Sequence, residues 1–182
     1  MNKKFLSFGI AFALVFSSIS FAPLSETATL AACKITKPKG KTIGTISAGK
    51  VKMPIKAFNY PAGGIMEPQG TTLAAGLSQR HMPLSSTIGT SVITWHVNYN
   101  GCWNALNILM SQKAGFKFSI TDENGDVKRY KIVKKLTIKK GNYKKSWFNL
   151  IGPRQLALFT CTGTFSKGHY TKNMVFIAQP LT

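Results

Sequence analysis

A mainly β chain, closed into a barrel and carrying one or two short helices, is the fold class the sequence predicts. Many short runs alternate β-branched or aromatic residues with polar ones, Gly, Pro, Asn and Asp punctuate them, and helical spacing recurs in a single segment. Closing such a set of non-local strands removes the exposed edges an open sheet would keep. Once an N-terminal targeting segment is set aside, the rest of the 182-residue chain suits one domain with one core.

The first 32 residues read as an export signal or membrane anchor: Lys3 and Lys4 precede an apolar run over residues 5–22. Leu30-Ala31-Ala32-Cys33 has the form of a lipoprotein cleavage box with Cys33 as the lipidated residue, although Pro23, Ser25, Glu26 and Thr27 separate it from the apolar run. That run is also just long enough to span a bilayer, so lipoprotein, uncleaved anchor and secretion all stay open. Each places the protein outside the cytoplasm. Residues 33–41 form a basic, proline-containing linker, and the barrel domain occupies residues 42–182.

Within that domain, strands are expected near residues 42–46 and 50–58, loops at 61–70, and a strand over 91–96. A polar loop, Asn98-Tyr99-Asn100-Gly101, follows, and Trp103, Leu106, Leu109 and Met110 then recur at helical spacing. Phe116, Phe118 and Ile120 alternate into an Asn124-Gly125 turn, and a long irregular strand through Val127, Tyr130, Ile132, Leu136 and Ile138 leaves it. Runs at 155–161 and 173–179 complete the set.

Charge bounds the function. With 24 Lys and Arg against 5 Asp and Glu, the formal net charge is +19, which draws a protein to anionic surroundings. Nine of the residues between Lys128 and Lys145 are basic. For an exported chain the counterpart is an anionic envelope polymer or lipid headgroups, serving localisation, unless the run is merely one solvated strand face. No nucleic-acid module is recognisable, and nucleic acid is disfavoured as a partner.

Scarcity of acids argues against glycosidase chemistry, which needs two carboxylates across the scissile bond. Asp122-Glu123-Asn124-Gly125-Asp126 resembles a calcium loop only slightly, since its glycine falls too early, and reads more simply as a hairpin turn. Three cysteines and three histidines show neither CxxC nor HExxH spacing, so neither metal nor cofactor is expected.

The remaining chemistry lies at two strand ends. Cys161 closes the apolar run Leu156-Ala157-Leu158-Phe159-Thr160, and His96 closes Val92-Ile93-Thr94-Trp95. A thiol held at a strand end, with an imidazole on a neighbouring strand to move protons, suits a cysteine nucleophile in acyl transfer. Taken alone, each would more often be a core residue. Cys102 has two potential disulfide partners, Cys33 and Cys161, and pairing with Cys161 would silence the nucleophile.

These elements in this order resemble the sortases, above all the class E and class F types of Gram-positive bacteria, over roughly residues 40–180. The residues that carry the likeness are Trp95-His96-Val97 before a polar loop and short helix, Asn124-Gly125-Asp126-Val127 leading to Tyr130-Lys131-Ile132, Leu158-Phe159-Thr160-Cys161, and Gly168-His169-Tyr170-Thr171-Lys172-Asn173 before a last apolar strand. The resemblance implies a barrel of about eight strands and a monomer. It implies that Cys161 attacks a sorting-signal peptide to form a thioester, that His96 moves protons, and that an amine at the cell surface takes the acyl group.

The family's essential arginine would fall at Thr171, and no arginine follows Arg154. Lys172 is the adjacent replacement, but successive strand residues face opposite ways, so it needs a one-residue bulge to reach the site. Arg80 is a second candidate. Thr160 and Trp95 are expected beside the substrate, with Trp95 narrowing the space near His96. Two alternatives stand beside transpeptidation: a weak or inactive relative that binds peptide or anionic polymer through the barrel groove, and a secreted basic β-protein that adheres to envelope polymer.

Overall fold

Alternation of buried and exposed side chains lets this sheet roll into a tube with apolar clusters on both of its surfaces. A computed structural model describes residues 40–58 and 71–181, so the readings of residues 1–32, of Cys33 and of most of the linker lie outside the described residues. Among the described residues ten strands run in the order β1 Thr42–Ala48, β2 Val51–Phe58, β3 Ala75–Ser78, β4 Thr90–Trp95, β5 Asn98–Tyr99, β6 Cys102–Trp103, β7 Lys117–Thr121, β8 Val127–Lys139, β9 Gln155–Ser166 and β10 His169–Pro180. One short helix, α1 Ile108–Ser111, follows a 3-10 turn at Ala105–Asn107. Eight strands close a barrel in the order β1-β2-β3-β4-β9-β10-β8-β7, and β5 with β6 forms a separate hairpin. Pairing is antiparallel throughout the barrel except between β2 and β3 and between β4 and β9.

The parallel pair β4–β9 is the spine of the molecule, and its sequence explains why. Ile93, Trp95, Leu156 and Leu158 point into the barrel core, while Val92, Ala157 and Phe159 point outward to a second apolar cluster with Val175, Ile177 and Trp147. A strand covered on both faces must be apolar nearly throughout, which Val92-Ile93-Thr94-Trp95 and Leu156-Ala157-Leu158-Phe159 satisfy. The outer cover comes from the segment after β8: Phe148 stacks on Phe159 at 5.8 Å, and Tyr143 meets Phe159 edge-on at 5.9 Å. Burial of a large aromatic in such a cluster is worth about 3–5 kcal/mol, judged by truncation to alanine.

The Asn124-Gly125 turn joins β7 to β8 as the sequence predicts, and Asp122 anchors it. Its Oδ1 accepts the N–H groups of Asn124 and Asp126 at 2.9 and 3.0 Å, and its other oxygen meets Lys128 Nζ at 3.0 Å. Two members of the basic run are thus architectural, because Lys135 likewise donates to the carbonyls of Met110 and Gln112 at the end of α1. The exposed basic residues of β8 and the turn beyond it include Arg129, Lys131, Lys134, Lys139, Lys140, Lys144 and Lys145.

Three departures from the predicted elements have physical reasons. β3 has no sequence signal, because Ala75-Gly76-Leu77-Ser78 is short and lacks β-branched residues. The loop after His96 is a hairpin whose tip, Asn100-Gly101, adopts φ of 49° and 78°, the left-handed pair that a two-residue turn demands. Trp103 belongs to that hairpin, so the helix begins later than its apolar spacing suggests. The 3-10 turn that leads into it is capped by Asn104, whose side chain accepts the Leu106 N–H at 2.8 Å. No helix among the described residues is long and apolar enough to cross a membrane.

Candidate active site

Strand register brings the two singled-out residues together. In the parallel ladder of β4 and β9, Trp95 sits opposite Thr160; His96 is the first residue past the end of β4, and Cys161 is the next residue on β9. Adjacent strands lie about 4.8 Å apart, and paired positions of a parallel ladder face the same way. Trp95 and Thr160 point into the barrel, so one step further both His96 and Cys161 point out of it. Both line one open cavity of about 360 Å³. Cys161 is 7% exposed and stands in no disulfide. Cys102 is disulfide-bonded, which excludes the pairing that would have consumed Cys161.

Two hairpins make the walls of this cavity. The β5–β6 hairpin stands on one side, and His96 packs against its Tyr99 with ring centroids 5.4 Å apart. Opposite, β9 and β10 run past the barrel rim to a two-residue tip, Lys167-Gly168, with φ of 49° and 82°. Phe165, His169 and Tyr170 from this second hairpin line the cavity. Phe165 and Tyr170 meet edge to face at 5.2 Å, and Asn98 Nδ2 donates to the Tyr170 hydroxyl at 2.9 Å across the gap. Below the walls, Asn173 lies directly opposite Cys161 on β10; its amide donates to the Thr160 carbonyl at 3.2 Å and its carbonyl oxygen accepts the Tyr143 hydroxyl at 3.1 Å.

The other predicted site residues fall elsewhere. Trp95 has no exposed surface; it stacks on Phe176 at 6.0 Å inside the barrel and donates from Nε1 to Asn107 at 3.1 Å. Thr160 is equally buried, and its hydroxyl donates to the Trp95 carbonyl at 2.8 Å. Both side chains are thus buried in the barrel, where they hold β4, β9 and the helical segment together rather than line the cavity. Arg80 follows β3, which runs antiparallel to β4 with Gly76 opposite Thr94, so Arg80 lies toward the start of β4, away from His96 at its end.

A bulge is present near Lys172, but its extra residue lies on β9 and not on the strand of Lys172. Between the pairs Tyr170–Phe165 and Lys172–Thr162 the register shifts by one, so that two residues of β9 oppose Thr171. It does not deliver the ammonium to the cavity: Thr171 and Lys172 crowd Gly163 instead, and neither is among the described residues lining the space around Cys161. The cation that does line it is Lys140, in the turn that follows β8. In the sequence Lys140 is one of nine basic residues of its run and nothing singles out His169; Lys167-Gly168, a turn signal ahead of a strand, is the usable hint that His169 and Tyr170 rise beside Cys161.

What the arrangement offers chemically is a thiol, an imidazole at the end of the adjacent strand and an open cavity walled in part by Tyr99, Phe165 and Tyr170. Among the described residues no three of His, Cys, Asp and Glu are grouped to hold a metal ion.

No family model and no curated protein matches this chain. Solved structures do. Sortase A from Corynebacterium diphtheriae superposes with a TM-score of 0.61 at 18% identity, over 79% of this chain and 62% of that one. Sortase C-1 from Actinomyces oris gives 0.62 at 17% identity, over 78% of this chain and 74% of that one. The pilus-related sortase C of Group B Streptococcus gives 0.61 at 21% identity, over 84% and 76%. The fold is therefore that of the sortases, and the chain spans less than two thirds of the Corynebacterium enzyme's length.

Proposed function

We propose that this chain is a sortase-like cysteine transpeptidase acting outside the cytoplasm. The observation that supports it best is the placement of His96 and Cys161 one step past Trp95 and Thr160, on one face and in one cavity. In this reading the Cys161 thiolate attacks the carbonyl carbon of a sorting-signal peptide, and the peptide C–N bond breaks. His96 hands a proton to the departing amine, leaving a thioester on Sγ. An acceptor amine then attacks that thioester, loses a proton to His96 and expels the thiolate. Exposed basic residues from Arg129 to Lys145 would hold the enzyme against an anionic envelope polymer or lipid while it works.

Incubation with a library of sorting-type peptides and an amine acceptor tests this reading. Mass spectrometry should find an acyl adduct on Cys161 that disappears in Cys161→Ala, together with amide product. Absence of any adduct across the library defeats it. A second reading, peptide binding without turnover, is favoured by the side chain at the arginine-equivalent position: Thr171 is exposed and outside the cavity. Tight peptide binding with no adduct selects that reading.

A further inference from the structure

Acyl transfer places a growing negative charge on the attacked carbonyl oxygen, and a site that accelerates it must aim positive charge or hydrogen-bond donors there. Within the cavity that holds Cys161, the described lining residues include one lysine, no arginine and no carboxylate. The three acids of the described residues, Asp122, Glu123 and Asp126, all sit in the turn before β8, whereas Lys140 follows that strand's last residue. A strand of 13 residues separates the two, roughly 40 Å at about 3.3 Å per residue. Nothing near Lys140 in the described cavity wall neutralises it.

We propose that Lys140 supplies the positive charge of this site, the role that neither Lys172 nor Arg80 is placed to fill; the proposal rests on the acyl-transfer reading above. Its position is built. β8 ends at Lys139 beside Lys172 of β10, the chain turns at once through Gly141 with φ of 87°, and the Asn142 N–H returns to the Lys139 carbonyl at 3.1 Å. Tyr143 then locks the turn from its far side, packing on Phe148 and Phe159 and donating its hydroxyl to Asn173, the residue opposite Cys161. The turn that carries Lys140 is thus tied to the strand pair that carries the thiol. Asn98 and Asn100, also in the lining, offer amide donors but no charge. As a single flexible ammonium, Lys140 serves the oxygen less rigidly than a planar guanidinium would, so a lysine-to-arginine change is informative.

Two measurements test this, and the first needs no substrate. Cys161 is alkylated with the anionic reagent iodoacetate and with neutral iodoacetamide, and the ratio of rates is compared among Lys140→Ala, Lys140→Arg and the control Lys139→Ala, which loses the same charge one residue away. At low salt Lys140→Ala should lower the ratio about fivefold, Lys140→Arg should keep it, and Lys139→Ala should stay within about twofold. A Lys140→Ala ratio equal to that of Lys139→Ala overturns the proposal. The second is the rate of Cys161 acylation by an active peptide, which should fall at least about tenfold in Lys140→Ala and recover in Lys140→Arg; an acylation rate equal to the Lys139→Ala control overturns it as well. Should no peptide acylate the wild-type protein, the proposed function fails, while the alkylation ratio still decides whether Lys140 charges the cavity.

Discussion

The two ends of β8 both carry basic residues and treat them in opposite ways. At the Asp122 end, Lys128 is held by Asp122 and by the carbonyls of Leu84 and Ser85, and buried Arg154 gives its protons to the Tyr130 hydroxyl and the carbonyls of Gly89 and Leu84. At the Lys140 end, the cavity keeps imidazoles, amides and an ammonium around a thiol with no carboxylate among its described lining. Charge that the fold has absorbed stabilises the molecule; charge left facing a cleft is available to a ligand. A residue's type says little about which of these it does, and its neighbours decide.

The largest effect that would sharpen this contrast comes from removing one group at each end. His96→Ala should slow acylation of Cys161 by at least about a hundredfold while leaving the unfolding midpoint within a few degrees, because the ring is only half-buried and lies outside both apolar clusters. Arg154→Met should do the reverse. It leaves two buried carbonyls and the Tyr130 hydroxyl short of a donor, at a cost of about 3 kcal/mol, read as a lowered midpoint in denaturant with near-normal alkylation of Cys161. If Arg154→Met instead abolished Cys161 reactivity without destabilising the fold, the division between the two ends would break.

A smaller effect is expected from Tyr170→Phe, which deletes the acceptor for Asn98 between the hairpins. About 1 kcal/mol of local stability should be lost, visible as faster amide exchange in residues 98–103 and 166–170, with a rise in peptide KM larger than any change in kcat.

The smallest effects follow from pH. Burial alone would raise the Asp122 pKa, but Lys128 and the N–H groups of Asn124 and Asp126 outweigh it and hold the carboxyl below its ordinary range. Its contribution is therefore complete above the unfolded value near 3.9 and disappears as pH falls through the lowered native value, so Asp122→Asn should flatten the acid limb of stability. His81 is shifted down as well, first by burial and then by the Arg80 guanidinium. The native state then binds its proton less readily than the unfolded chain, and the resulting stability is present above about 6.5 and declines as pH falls below it. Denaturant midpoints of wild type and His81→Asn, followed from pH 8 to 5, should converge or cross toward the acid end.

Much of the barrel was legible because its strands obey a period of two, and the placement of His96 and Cys161 at two strand ends was legible because each closes such a run. What could not be read depended on pairing. Ala75-Gly76-Leu77-Ser78 is a strand only because β2 and β4 flank it. Trp95 and Thr160 looked like site residues because they adjoin His96 and Cys161 in sequence, yet the alternation that brought the latter pair to the cavity turns their neighbours inward. Lys140 was lost among equals, since nothing local distinguishes it from Lys139 or Lys144; only the turn at Gly141 and the register of β8 against β10 do so.

One jaw of the cleft contains a cystine half and the other does not. Cys102, on the β5–β6 side, is disulfide-bonded, while the far part of the β9–β10 hairpin, residues 162–170, has no cysteine and is held by strand pairing and the Asn98 bond. Widening the cleft for a bulky guest therefore means breaking the Asn98–Tyr170 bond that joins its two walls.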